Sequence, residues 1–270
     1  MKKLYTLALA FLCLGSTYTF AQRQWEVGAF AGLSNYGGDL QQTHFELATT
    51  NPAQGLFLRY HLSPAVSFKL AATRGVIEGA DANYSDLLIR QRNLSFRSDI
   101  TEAALTTEIA LGVYGAEGKR TAAPYFFAGV GVFNFNPQTL HDGQWVDLQP
   151  LGTEGQGSRM YPGRNPYKLT QVSVPLGIGF NFRIQQRLVL GYEFGYRHTF
   201  TDYLDDIGGT YPDVPVYFKE NPLGAGLSYR EREVRGYVSD GEYPTDELRG
   251  DEANDHYFFG GFTVSWLLGK

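Results

Sequence analysis

Between residues 168 and 184 large apolar side chains fall on every second position: Val172, Val174, Leu176, Ile178, Phe180, Phe182 and Ile184 take one parity, while Gln171, Ser173, Pro175, Gly177, Gly179, Asn181 and Arg183 take the other. A period of two is that of a β-strand with one apolar face. The pattern resumes at 187–200, where Leu188, Leu190, Tyr192, Phe194 and Tyr196 alternate with Val189, Gly191, Glu193, Gly195 and Arg197. Only Gln185, Gln186 and Arg187 separate the two runs, so they form an antiparallel hairpin. The same reading places strands at about 24–34, 55–62, 66–74, 99–112, 123–133 and 255–268.

The connections between these strands carry a second signal. Long segments (35–54, 75–98, 134–167 and 201–254) alternate with shorter ones (63–65, 113–122 and 185–187). An antiparallel barrel with one end in the periplasm produces this alternation, with an even strand count, short periplasmic turns and long surface loops. A soluble barrel or sandwich has no reason to put every long loop at one end. Beyond the N-terminal segment no apolar run is long enough for a spanning helix, so a membrane location requires a closed barrel in which every backbone polar group is paired. The expected fold is all-β, an eight-stranded antiparallel transmembrane β-barrel with long extracellular loops. Its 32 glycines and 15% aromatic content suit glycine-jointed, aromatic-rich strands. With 19% charged and 43% hydrophobic residues and a net charge of −5, the chain is neither a disordered polyelectrolyte nor a basic nucleic-acid binder.

The N-terminus reads as a targeting signal. Lys2 and Lys3 precede the apolar run Leu4–Leu14, and Thr19-Phe20-Ala21 supplies a cleavage site, giving a signal peptide over 1–21 and a barrel over 22–270. The only cysteine, Cys13, lies in that segment behind Phe11-Leu12, which are too bulky for a lipoprotein site. The exported chain therefore has no disulfide, thiol nucleophile or cysteine-based zinc site.

Opposite the apolar parity lie Glu26, Arg59, Lys69, Glu102, Glu108, Arg183, Glu193 and Arg197. In a membrane barrel this face is the lumen, and eight strands leave just enough room for side chains to fill it. Acids and bases in equal number are expected to pair into a plug, giving a closed lumen. Trp25, Tyr60 and Trp266 share a height near the periplasmic rim, where amphipathic rings favour the headgroup level.

Three loop segments carry residue types capable of chemistry. Trp145-Val146-Asp147-Leu148-Gln149-Pro150-Leu151-Gly152-Thr153-Glu154-Gly155-Gln156-Gly157 is rich in glycine, but no Gly-Lys-Ser/Thr follows and no nucleotide site is expected; it reads as a turn-rich loop packed over the barrel mouth. His198-Thr199-Phe200-Thr201-Asp202-Tyr203-Leu204-Asp205-Asp206 sets three carboxylates close to a histidine. Calcium accepts such oxygens, yet the EF-hand spacing is absent, and no metal or cofactor is expected. A hydrolase would need a nucleophile beside His198, whose neighbours are threonines, so no enzymatic activity is expected. The acid-rich segment 201–254 reads as a solvated, mobile loop able to cap the barrel or meet a basic partner.

Five segments together carry a family resemblance: Gly32-Leu33-Ser34-Asn35-Tyr36-Gly37-Gly38-Asp39-Leu40, Phe127 to Pro137, Leu148 to Gly157, Pro175 to Phe180, and Gly195 to Asp206. The chain resembles the PorG-like (DUF6089) outer-membrane barrels of Bacteroidetes over nearly all of its exported length. The resemblance implies a component of the type IX secretion apparatus that anchors or stabilises a periplasmic ring of PorK- and PorN-like proteins. Outer-membrane lipid is then a second partner, and neither nucleic acid nor a small-molecule substrate is expected. Two alternatives stand beside this reading: a lipid- or peptide-modifying barrel enzyme using His198 with Asp202 or Asp205, and a ligand-binding or adhesion barrel.

Overall fold

Followed from strand to strand, the backbone pairing closes on itself. The structure, a computed structural model, describes residues 24–43, 46–111, 122–234, 243–251 and 253–269; the expected signal peptide lies outside them. Among the described residues ten strands form one antiparallel sheet: β1 (Gln24–Gly37), β2 (Asn51–His61), β3 (Val66–Ala80), β4 (Ser95–Ala110), β5 (Ala122–Asn134), β6 (Pro137–His141), β7 (Gln144–Asp147), β8 (Thr170–Arg183), β9 (Leu188–Thr199) and β10 (His256–Leu268). Eight of them make the ring β1-β2-β3-β4-β5-β8-β9-β10, sealed by the pairing of β1 with β10. The fold is an eight-stranded antiparallel β-barrel of the transmembrane type.

Every barrel strand turns large apolar residues outward. Leu33, Leu56, Leu70, Leu105, Val130, Ile178, Tyr192 and Phe262, one from each, are 41–69% exposed. An apolar ring of this extent is far larger than a water-facing surface carries. Trp25 and Tyr60 are register partners at the end bearing the short turns, with ring centroids 4.8 Å apart, and Trp266 lies opposite Val27 at nearly the same level. A second aromatic belt rings the loop end of β9 and β10, where Tyr196 packs against His256 and Phe258 at 5.1 and 5.4 Å. From Trp266 to His256, at ~3.4 Å per residue and a tilt of ~40°, the wall rises about 26 Å, which matches the apolar band of an outer-membrane barrel.

Beyond this level the wall inverts its polarity. On β3 and β4 the outward positions become Arg74, Glu78, Arg97 and Asp99, while Ile77, Phe96 and Ile100 turn inward and are fully or almost fully buried. β3 and β4 run past their expected limits at 74 and 99 because they continue as the wall of a water-exposed cap with an apolar inside. The segment 134–167, expected as one loop, contains the β6–β7 hairpin, which joins the sheet through Arg97 opposite Gln138. Asp142 and Gly143, with φ of 49° and 77°, form its two-residue turn.

The cap has its own core. Tyr36, Leu40, Phe133, Phe135, Leu148, Leu204, Ile207, Leu227 and Tyr257 belong to one buried cluster. The expectation of a solvated, mobile 201–254 loop is corrected here: its described part holds two short helices, preceded in the chain by another between β3 and β4. Numbered in chain order these are α1 (Leu87–Arg92), α2 (Val214–Glu220) and α3 (Pro222–Ser228). Tyr211, Val214, Tyr217, Ala225 and Tyr229 pack around α2 and α3. The acids suggested solvation, but the apolar residues between them supply the packing. Asp240, Glu242 and Glu252 of that segment lie outside the described residues.

Candidate functional site

The inward face of the barrel brings most of the sequence-identified charges into two groups. Nearer the short turns, Arg59 pairs with Glu26 and, at 2.7 Å, with Glu108. Lys69 pairs with Glu193 and lies 3.6 Å from Glu108. His61 approaches Glu26 at 2.7 Å, Ser265 donates to Glu26 at 2.6 Å, and Tyr125 donates to Glu193 at 2.7 Å. Nearer the loops, the Arg197 guanidinium lies 3.2 Å from Glu102, which also accepts from the Tyr257 hydroxyl at 2.8 Å. Arg59 is completely buried, and its low-dielectric setting makes each pairing obligatory. Arg183 lies apart, opposite Val189 at the end of β8 and partly exposed.

Aromatic rings share the lumen, a feature the charge pattern did not reveal. Arg59 stands 5.0 Å over Phe57, Lys69 5.4 Å over Phe127 and Arg197 4.7 Å over Phe259. Gly28 and Gly179 make this possible, because a Cβ at either would overlap the rings of Phe57 and Tyr125. What remains between the two charge groups is a void of about 30 Å³, scarcely more than a water molecule needs.

At the loop end the two glycine- and acid-rich motifs form one structure. The Thr153 hydroxyl donates to Asp206 Oδ2 at 2.5 Å, and Tyr167 donates to Asp206 Oδ1 at 2.7 Å. Glu154 accepts from the backbone N–H groups of Gly208 and Gly209 at 3.1 and 3.2 Å and from Gln156 at 3.2 Å. Arg249, 3% exposed, sits between the motifs and donates to the Asp206 carbonyl at 2.7 Å and to Thr153 at 3.0 Å. Gln149-Pro150-Leu151 make a 3-10 turn that ends at Gly152, and Gly152, Gly155 and Gly157 all take positive φ. Leu148 and Leu204 enter the cap core, Tyr203 stacks on Tyr167 at 4.6 Å, and Thr201 accepts from the Asp255 N–H at 3.0 Å. Trp145 faces outward beneath Arg97, 5.5 Å from its guanidinium. Arg249 was the missed residue; it sits among acids in the sequence and carries no spacing signal.

The neighbouring aspartates Asp202, Asp205 and Asp206 do not form one cluster. Asp205 accepts from the buried Tyr36 hydroxyl at 2.5 Å, and Asp206 belongs to the Thr153 group. Asp202 instead meets Asp39 from the first loop and Asp251 from the end of the last, with one carboxylate oxygen of each within 4.8 Å of the others. Burial, reinforced by Asp39, Asp251 and Glu154, pushes the Asp202 carboxyl up to about 8. Asp39 rises to about 6, again chiefly through burial. A Cβ on Gly250 would overlap the Asp39 carboxylate, so this approach requires glycine. Asp39 and Asp251 line a cleft of about 680 Å³ together with Gln41, Tyr84, Arg92 and Tyr211.

His198 does not join this group. It faces out from the barrel on β9, between the rings of Tyr196 at 6.4 Å and Phe200 at 5.1 Å, whereas Asp205 is buried inside the cap. The histidine–carboxylate pair required by the enzyme alternative is not assembled among the described residues.

Several solved barrels are similar to the chain. The N-terminal β-barrel domain of Pseudomonas aeruginosa OprF is 11% identical, with 92% of this chain and 100% of that one covered and a TM-score of 0.38. Neisserial surface protein A is 7% identical over 90% and 96%, with a TM-score of 0.45. Ail of Yersinia pestis, in complex with the heparin analogue sucrose octasulfate, is 8% identical over 92% and 100%, with a TM-score of 0.42. No curated protein sequence is significantly similar. Residues 2–150 match the model of a domain of unknown function, DUF6089, and this match covers more than half of the sequence: the chain belongs to the DUF6089 family.

Proposed function

We propose that the protein is a non-catalytic outer-membrane barrel that anchors or stabilises a periplasmic assembly of the type IX secretion apparatus, reaching the membrane through a cleaved signal peptide. The observation that carries this reading is the sealed interior. Ion pairs and aromatic rings fill the lumen, and the folded cap covers its outer mouth, leaving a void of about 30 Å³ inside. A barrel so filled is suited to holding a position in the bilayer, not to passing solutes. The motif resemblance to PorG-like barrels supplies the kind of assembly, a ring of PorK- and PorN-like proteins. The turns 62–65 and 184–187 leave a short periplasmic rim as the meeting surface.

A clean deletion tests the role. Loss of type IX cargo secretion, with ring proteins recovered by crosslinking to the barrel in native envelopes, is the expected result. Normal secretion in the deletion strain would reject the role, and stable large conductance in planar bilayers would reject the sealed barrel.

A further inference from the structure

We propose that Asp39, Asp202 and Asp251 bind a divalent cation of the calcium class, which clips the first and last outer loops together over the barrel mouth. The three carboxylates come from segments separated in the chain: Asp39 follows β1, Asp202 follows β9 and Asp251 precedes β10. Each offers an oxygen within 4.8 Å of the other two. Opposite ligands in a calcium shell, with Ca–O near 2.4 Å, stand about 4.8 Å apart, so one ion can touch all three.

Two further observations point to a ligand. Asp39 Oδ2 and Asp202 Oδ1 are buried atoms that accept no hydrogen bond. Gln41, two residues beyond Asp39 and only 6% exposed, lines the same cleft and likewise leaves its Oε1 without a donor. Buried oxygens are ordinarily satisfied, and two unpaired carboxylate oxygens within this triad, with a third unpaired acceptor along the cleft, call for a positive centre. The nearby arginines do not supply it. The Arg92 guanidinium is taken by Asp81 at 2.7 and 2.9 Å and by the carbonyls of Asp39 and Arg249. Arg249 is held by Thr153, Glu154 and Asp206. A hard, oxygen-seeking cation fits what remains: three carboxylates and room for water on the cleft side. Calcium suits it better than magnesium, which dehydrates reluctantly and demands a near-octahedral shell.

The test uses the full exported chain, refolded in detergent free of lipopolysaccharide, stripped with chelator and titrated with CaCl2 by calorimetry and with TbCl3 by luminescence sensitised through Tyr84 and Tyr211. Saturable binding is expected at about 10⁻⁴ to 10⁻³ M calcium, the range of extracellular modules, with slower proteolysis of the 200–255 loop when the ion is bound. Asp39→Asn with Asp202→Asn should weaken binding at least about tenfold. Asp251→Asn, which changes an exposed side chain and leaves the fold intact, should weaken it as well. No saturable binding to the folded wild type, or binding retained by Asp251→Asn, would overturn the site. Magnesium acting as well as calcium would overturn the choice of ion.

Discussion

Thr153 and Asp206, 53 positions apart in the chain, share a hydrogen bond of 2.5 Å inside the outer cap, and Arg249 closes over both. This contact joins the loop that follows β7 to the loop that follows β9. Burial pushes the Asp206 carboxyl up to about 6, against the opposing pull of Arg249, Thr153 and Tyr167. The folded cap therefore favours the neutral acid. Its contribution to stability is fully present below the ordinary carboxylate value near 3.8 and is lost as pH rises through about 6. Amide protection of residues 201–210, corrected for intrinsic exchange, should fall between pH 5 and pH 7.5. Asp206→Asn should reduce that dependence, the remainder belonging to Asp202, whose carboxyl is lifted by burial to about 8; an unchanged slope would show that Asp206 does not contribute to it.

Arg59 offers a test of the lumen. Replacing it with Met leaves Glu26 and Glu108 buried without their main partner, and breaking a buried pair in this way costs about 3–5 kcal/mol. Arg74→Ala removes an exposed pair with Asp99 and should cost less than about 1 kcal/mol. Urea unfolding in detergent compares the two. Equal losses would mean that the lumen is wet enough to screen its charges.

The barrel was legible in the sequence wherever the bilayer imposes its rule that apolar residues face out. Val172 to Phe182 on β8 obeys it, and the lumen charges follow by parity. The rule fails above the membrane, where Ile77 and Ile100 turn inward and Arg97 and Asp99 outward, so β3 and β4 seemed to stop early. The cap was hidden for a different reason. Its contacts, such as Tyr36 with Asp205 and Thr153 with Asp206, join residues too distant in sequence for any local pattern to carry them.

The β6–β7 hairpin did leave a local signal in Asp142-Gly143, the pair favoured by a tight turn with positive φ at both positions. A Cβ at Gly143 would meet nothing within 4 Å, so Gly143→Val acts through the backbone alone. The β-branched residue at positive φ should cost roughly 1–3 kcal/mol. Because the hairpin's strand pairing with the barrel, among the described residues, is confined to Arg97 and Ser98, this cost should appear as local fraying. Loss of the Trp145 fluorescence signature at an unchanged barrel melting temperature is expected. A fall in the global transition instead would mean that the hairpin supports the ring.

Leu105 separates a bilayer from water as the surroundings of the barrel wall. It faces outward on β4 opposite Val130, midway along the apolar band, and is 51% exposed. In water, an exposed Leu→Arg change costs little, because the guanidinium is solvated. At the bilayer midplane the same change costs about 2–4 kcal/mol, falling to about 0–1 kcal/mol near the interface. Leu105→Arg should therefore weaken folding into liposomes by that larger amount, while Thr101→Arg, closer to the loop end of the same outward row, should be nearly neutral. In a detergent whose headgroups reach the wall the two variants should converge. If Leu105→Arg folds into liposomes as readily as the parent, the outward apolar face is not in contact with lipid, and the ring of leucines, valines and aromatics must instead be covered by protein.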